Sequence, residues 1–365
     1  MRARIEGGRM TATGAAVHLH ASEVLRAEQL DLVGRHGDAI DSLVAGVRRN
    51  DVEATTRLGK RLLVGDRAPH LPREGLRFLR EARDRGSAEA PAVIAVCLGV
   101  GLEARPDLDA ARDSLLCAAT RGWPAAQAQL RLLARATHGH DLPRGADRDW
   151  QSLARRIDLT MWQSAPHCAD LHTEPLVRAH SQFADPSVCR WLIDRARGRL
   201  ARAQVYDAVS RQTTTHEART NTSAVFNLLD TDLVFVLVQM RMAACVSLPF
   251  RHFEAATVLH YEVGEQISEH FDFVDPNVPN YAQQLRERGQ RMITFLLYLN
   301  DDYEGGETEF PRLGVSHRGS CGDAVFFVNA FPDASPDVRT LHAGRPPTRG
   351  EKWVMSQFIK NCPAF

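Results

Sequence analysis

Residues 292–299, MITFLLYL, form an unbroken run of aliphatic, aromatic and β-branched side chains between Arg291 and Asn300. The run is too short for a buried helix, so it reads as a strand covered on both faces. Residues 256–263 (ATVLHYEV), 324–328 (AVFFV) and 353–359 (WVMSQFI) repeat the pattern, with clusters of Gly, Pro, Asn and Asp between them. Following one helical stretch at 186–201, these runs predict a β-sandwich or barrel, the class that contains the double-stranded β-helix, or jelly roll.

Ahead of this half, the chain repeats itself every 36 residues. Leu43, Leu79 and Leu115 share a phase, as do Ala54, Ala90 and Ala126, and Leu58, Ile94 and Leu130; Arg85-Gly86 matches Arg121-Gly122. Within a copy the apolar residues recur at helical spacing and glycines interrupt them, which predicts one helical hairpin per repeat. A period in the mid-thirties with small residues at close crossings resembles the tetratricopeptide-related Sel-like repeats. The predicted fold is α+β and multidomain, an N-terminal α-helical repeat solenoid followed by a jelly-roll domain. Its boundaries are an extension over 1–35, repeats over 36–140, a linker over 141–180 and the β domain over 181–365. A chain of 365 residues with 44% apolar content is expected to form two cores. Stacked hairpins offer a concave face for a protein or peptide partner, or act only as a stabilising shoulder.

The formal charge is zero, with 45 basic and 45 acidic residues. That removes the long-range field of a nucleic-acid or anionic-membrane binder. No apolar segment is long enough to span a bilayer, and the first thirty residues lack a signal-peptide core. Seven cysteines without C-x-x-C spacing fit reduced thiols better than a disulfide framework or a cysteine zinc site. A cytoplasmic location is expected.

In His270-Phe271-Asp272 the two polar residues are two apart, so on an extended strand both project from one face. His342 follows a strand-like run at 338–341 and supplies a third candidate. Two imidazoles and one carboxylate on one face of a metal leave open positions, which suits non-haem Fe(II) binding a 2-oxoacid and dioxygen. Lys352 opens an apolar strand, where a buried cation demands an anion such as the distal carboxylate of 2-oxoglutarate. Only Lys60, Lys352 and Lys360 among the 45 basic residues are lysines. Arginine does the generic work here, so the compact ammonium at 352 stands out.

These motifs, together with YEVG at 261–264, RMITFLLYLN at 291–300, GGETEFP at 305–311, GDAVFF at 322–327, HAG at 342–344 and GEKW at 350–353, resemble in order the prolyl 4-hydroxylase family of 2-oxoglutarate oxygenases. The similarity runs from near Phe183 to the C-terminus. It implies that His270, Asp272 and His342 ligate Fe(II) at the catalytic centre and that Lys352 meets the far carboxylate of 2-oxoglutarate. Tyr261 and Thr308 assist in holding that cosubstrate, and Arg219 and Arg291 stand near the substrate groove. The implied reaction consumes O2, decarboxylates 2-oxoglutarate to succinate and CO2, and hydroxylates a prolyl residue of a protein or peptide, with ascorbate as supporting reductant. The carboxylate of Asp272 speaks against halogenation, since related halogenases carry a small residue there.

Two departures concern the substrate. Ile267 stands where many members have a tyrosine, three residues before the first histidine, and residues 357–360 lack the frequent tryptophan and histidine. Another amino acid or a small metabolite is therefore the competing substrate, and a scaffold with a vestigial oxygenase fold is the third reading. Residues 275–290 are long enough to form a lid over the metal mouth.

Overall fold

The computed structural model describes residues 22–138, 148–203, 205–207, 212–214, 218–278 and 281–363. The 36-residue period appears as three helices in register, His36–Arg48, Pro72–Asp84 and Leu108–Thr120. Their hairpin partners are Val52–Val64, Ala90–Val100 and Pro124–His138. Local chemistry sets the ends. The Asp51 and Asp107 side chains accept from the first free amides of their helices, and Gly65 and Gly101 close Val52–Val64 and Ala90–Val100 in the left-handed conformation. All nine phase-matched Leu, Ile and Ala positions are at most 3% exposed. Small residues permit the crossings: a Cβ on Gly75 would lie 2.5 Å from the Leu63 amide nitrogen.

Part of the predicted extension is helical, at Glu23–Leu32, and packs Val24 and Ala27 against Leu43 and Leu58. Residues 1–21 and 139–147, which carry the rest of the extension and the start of the predicted linker, lie outside the described residues. The remainder of that linker is structured, which corrects the expectation. A short helix, Trp150–Arg156, is followed by a hairpin, Cys168–Thr173 with Leu176–His180, whose second strand pairs with Ala324–Val328. Only Val177 and His180 of that strand are buried, too few to show as an apolar run.

Among the described residues the β domain holds two principal antiparallel sheets. The larger has eight strands in the order Cys168–Thr173, Leu176–His180, Ala324–Val328, Arg291–Tyr298, Lys352–Lys360, Ala256–Tyr261, Thr222–Phe226 and Ala201–Arg202. The smaller has four, Val315–His317, Thr308–Phe310, His342–Gly344 and Ile267–His270. Phe310 of the small sheet meets Phe327 of the large one edge to face at 4.9 Å, and Val177, Tyr298, Val325 and Val354 fill the space around them. This is the jelly roll.

The expectation of two cores is corrected. One continuous apolar cluster runs from Ala95, Leu115 and Leu130 in the repeats to Phe295, Trp353 and Met355 in the large sheet. Its bridge is the helix Leu233–Val246, whose first six residues, Leu233 to Val238, are apolar on all sides and essentially buried throughout. Asp232 caps that helix, and Gln129 of the last repeat accepts from the Leu233 amide at 3.0 Å. Gly99 of the Ala90–Val100 helix lets Val236 approach; a Cβ there would lie 2.8 Å from it. No described helix is long and apolar enough to cross a membrane.

Candidate active site

The small sheet brings the two candidate histidines together. His342 pairs directly with His270 across adjacent antiparallel strands, and their rings lie 4.3 Å apart. The predicted strand at 338–341 is instead a 3-10 turn, Val338–Thr340, held by Asp337 accepting from the Arg339 amide. The strand begins at His342 itself. That turn has a consequence for the imidazole, because His342 Nδ1 bonds the Thr340 carbonyl at 3.0 Å; His270 Nδ1 bonds the Ser268 carbonyl at 2.8 Å. A carbonyl can only accept, so each Nδ1 carries a proton, and in the neutral imidazole each Nε2 presents a lone pair.

Both lone pairs face one carboxylate. Asp272 Oδ1 is 3.4 Å from His270 Nε2, and Oδ2 is 3.3 Å from His342 Nε2. Three acceptors converge, with ligand atoms within 4.8 Å of one another, and a cation between them satisfies all three. Without a cation, a protonated imidazole takes its place beside the carboxylate. Burial alone would raise the Asp272 carboxyl, but the two imidazoles hold it well below the usual range. Burial, the largest influence, pulls His270 down, and the bond to Asp272, the charge of that carboxylate and the bond to the Ser268 carbonyl together raise it. Nitrogen and carboxylate donors without thiolate fit Fe(II).

The same pocket contains Lys352, directly paired with Tyr261 across neighbouring strands. Lys352 is 2% exposed, and the single hydrogen bond of its ammonium among the described residues goes to the Gly306 carbonyl at 2.6 Å. It lies 5.2 Å from the Tyr261 ring and 5.8 Å from that of Tyr298. Burial lowers Lys352 to about 8. That displacement corresponds to about 3 kcal/mol for keeping the charge, a cost that an incoming carboxylate would offset. Gly306 has φ +71°, and a Cβ there would press on Tyr303 and on Lys352 Cδ, so glycine is what admits the lysine.

Thr308, predicted beside the cosubstrate, lines this pocket and bonds the Tyr298 hydroxyl at 3.0 Å. Tyr298 was not singled out in the sequence, although the strand period was readable: Thr294, Leu296 and Tyr298 share a face, and the first two also line the pocket. Thr294 is a second residue missed, and donates to Asp272 Oδ2 at 2.7 Å.

The two arginines separate. Arg219 lines the pocket beside Ile267, with its Nε donating to Asn221 at 3.2 Å. Arg291 does not line it, which corrects the expectation that it faces substrate. Its guanidinium is spent on Glu254 through two bonds of 2.9 Å and stacks 3.8 Å over Phe358. Lys360 adds a second cation to Glu254 at 3.5 Å. Gln357 turns away from the pocket into a buried pair with Gln239 at 2.7 Å, whereas Phe358, one residue on, lines the pocket. In the predicted lid, residues 281–288 form a helix, Tyr281–Arg288, with no buried residue; 279–280 lie outside the described residues.

A family model described as the 2OG-Fe(II) oxygenase superfamily matches residues 256–360. Probable prolyl 4-hydroxylase 3 of Arabidopsis thaliana is 32% identical over 209 residues, covering 52% of this chain and 70% of that protein. Prolyl 4-hydroxylase subunit alpha-1 of Rattus norvegicus is 33% identical over 184 residues, covering 50% of this chain and 34% of that protein. Among solved structures, the 2OG complex of a viral collagen prolyl hydroxylase from Paramecium Bursaria Chlorella virus-1 is similar with a TM-score of 0.40 at 23% identity, over 51% of this chain and 96% of that one. A Sel1 repeat protein from Oxalobacter formigenes is similar with a TM-score of 0.29 at 21% identity, over 38% of this chain and 60% of that one.

Proposed function

We propose, from the premise that this chain belongs to the prolyl 4-hydroxylase family of 2-oxoglutarate- and Fe(II)-dependent oxygenases, that it hydroxylates a prolyl residue of a protein or peptide. The observation that carries the proposal is one pocket holding both a three-acceptor cluster and a buried, underpartnered lysine. In this reading His270, Asp272 and His342 hold the metal, and Lys352 receives the distal carboxylate of 2-oxoglutarate. Fe(II) bound there supplies activation of dioxygen coupled to decarboxylation of 2-oxoglutarate to succinate and CO2.

The chain's own residues do the rest. The Nδ1 bonds to Ser268 and Thr340 aim both imidazoles, and Asp272 contributes the single negative charge. Tyr261, Tyr298 and Thr308 place hydroxyls near the Lys352 end, while Leu259 and Val354 keep water from the walls. Arg219, Ile267 and Phe358, three of the partly exposed members of the lining, form the mouth. An apolar ring without a hydrogen-bond donor suits Ile267 and Phe358. Docking of a longer substrate on the repeats belongs to the same proposal. It is supported by a second cavity, lined by Val24, Ala27 and Leu43 together with the charged residues Glu28, Arg57, Lys60, Arg61 and Asp66.

The test is incubation of the full chain with Fe(II), 2-oxoglutarate, ascorbate and proline-containing polypeptides, with succinate and peptide mass followed together. One oxygen gained on proline per succinate is the expected result. Oxygen found only on other residues or on free metabolites would remove the prolyl reading. Progressively shorter fragments should lose apparent affinity if the repeats engage the substrate; an unchanged KM across lengths would reduce the repeats to a support.

Lys352 carries its own prediction. Replacement by methionine keeps the stem and deletes a charge-assisted bond, so KM for 2-oxoglutarate should rise roughly ten- to hundredfold. Because the lysine is lowered to about 8 in the free protein, cosubstrate affinity should be level below that pH. Above it, affinity should fall about tenfold per pH unit until the pKa of the complex is passed, since only the ammonium binds an anion. Carboxylate binding raises the lysine's pKa, so complex formation above pH 8 takes up a proton. Affinity that stays level between pH 7 and pH 9.5 would exclude this assignment.

A further inference from the structure

Asp272 lies beyond the end of the Ile267–His270 strand, in irregular backbone, so no sheet ladder sets the angle of its carboxylate. The angle is set from the opposite sheet. Thr294, on the Arg291–Tyr298 strand, donates its hydroxyl to Asp272 Oδ2 at 2.7 Å. Asn329, just past Ala324–Val328, donates its Nδ2 to Thr294 Oγ1 at 2.8 Å. A hydroxyl has one hydrogen, and with Oγ1 already accepting from Asn329 that hydrogen is directed at Asp272.

The relay is buried and held on both sides. Thr294 is 1% exposed and Asn329 is fully buried. The Asn329 main chain is pinned at both ends, its amide donating to the Met292 carbonyl at 2.7 Å and its carbonyl accepting from the Asp337 amide at 3.0 Å. Its side-chain Oδ1, however, is buried with no partner among the described residues. An amide kept only for stability would not leave an acceptor unmet in the interior. What retains Asn329 is the service of its Nδ2 to Thr294.

We infer that Thr294, oriented by Asn329, is a positioning residue that commits Asp272 Oδ2 to a hydroxyl and leaves Oδ1 for the metal. One-oxygen ligation by Asp272 keeps free the coordination positions that 2-oxoglutarate and dioxygen need. This rests on the reading of His270, Asp272 and His342 as the metal site.

The experiment uses the metal-free full chain, titrated anaerobically with Co(II) and followed by visible absorption, in the wild type, Thr294→Val and Thr294→Ser. Valine keeps the shape and removes the hydroxyl; serine keeps the hydroxyl. Thr294→Val should bind Co(II) about tenfold or more weakly, as outer-shell losses typically do. Its ligand-field spectrum should change, and 2-oxoglutarate should bind less tightly to its Co(II) form. Thr294→Ser should restore all three, and the metal-free proteins should melt alike. Wild-type affinity and spectrum in Thr294→Val would overturn the inference, as would failure of serine to rescue. A wild type that takes no Co(II) at all would instead overturn the metal-site reading beneath it.

Discussion

Asp272→Ala is expected to eliminate Fe(II)-dependent conversion of 2-oxoglutarate to succinate, by about a thousandfold or more, beyond the ten- to hundredfold typical of an outer-shell partner. The reason lies in the charge of the cluster. Both imidazoles present neutral Nε2 lone pairs, and Asp272 is the only carboxylate among the three converging groups. Without it a divalent ion meets two neutral donors in a buried setting, where an uncompensated charge is costly. The fold should not suffer, since a smaller neutral side chain removes a buried carboxylate and leaves both histidines tied to their carbonyls. Far-ultraviolet circular dichroism of the metal-free variant should therefore match the wild type. Retention of more than a tenth of the wild-type turnover would mean that the metal is held elsewhere.

Removal of the repeats has the second largest expected effect, and it falls on folding. A chain beginning at Asp149 loses the helices that cover Leu233–Val246, together with the Gln129 acceptor for the Leu233 amide. Leu233 and Val236 alone represent roughly 3–6 kcal/mol of burial, against a total stability of roughly 5–15 kcal/mol for a typical domain. The fragment should be aggregated or molten, without a cooperative thermal transition, and inactive even in uncoupled turnover. A soluble fragment that melts cooperatively and turns over 2-oxoglutarate like the full chain would show the shared core to be dispensable. This expectation follows from packing. Read only as a separate solenoid on a linker, the repeats look removable.

The difference between those two views shows where legibility stopped. The repeat phase was visible because each helix hides one stripe, and Leu43, Leu79 and Leu115 must return every 36 residues to hide it. The strands at 291–298 and 352–360 were visible because both faces are covered. The hairpin at 168–180 was not, because an edge pair with only Val177 and His180 buried writes almost no apolar pattern. The Leu233–Val246 helix shows the same limit from the other side. A sequence apolar all round announces burial and does not say against what.

In the site, a two-residue spacing made His270 and Asp272 readable, and the scarcity of lysine made Lys352 readable. Thr294 and Tyr298 lay in the same readable strand, but nothing local marks a threonine as the partner of a carboxylate 22 residues away. Arg291 went the other way. The family resemblance suggested a substrate contact, and Glu254, 37 residues earlier, had already claimed it. Gln357 likewise belongs to Gln239 across the interior.

By itself, then, the sequence determined most of the element types, the candidate ligands and the family, because periodicity and residue spacing are local properties that short stretches of chain express without help. Only the tertiary structure decided which charges are free to act and which are already spent, and whether the two halves share a core. Those outcomes depend on partners brought together by folding, and the free energy of a buried polar group is set by the partner it meets.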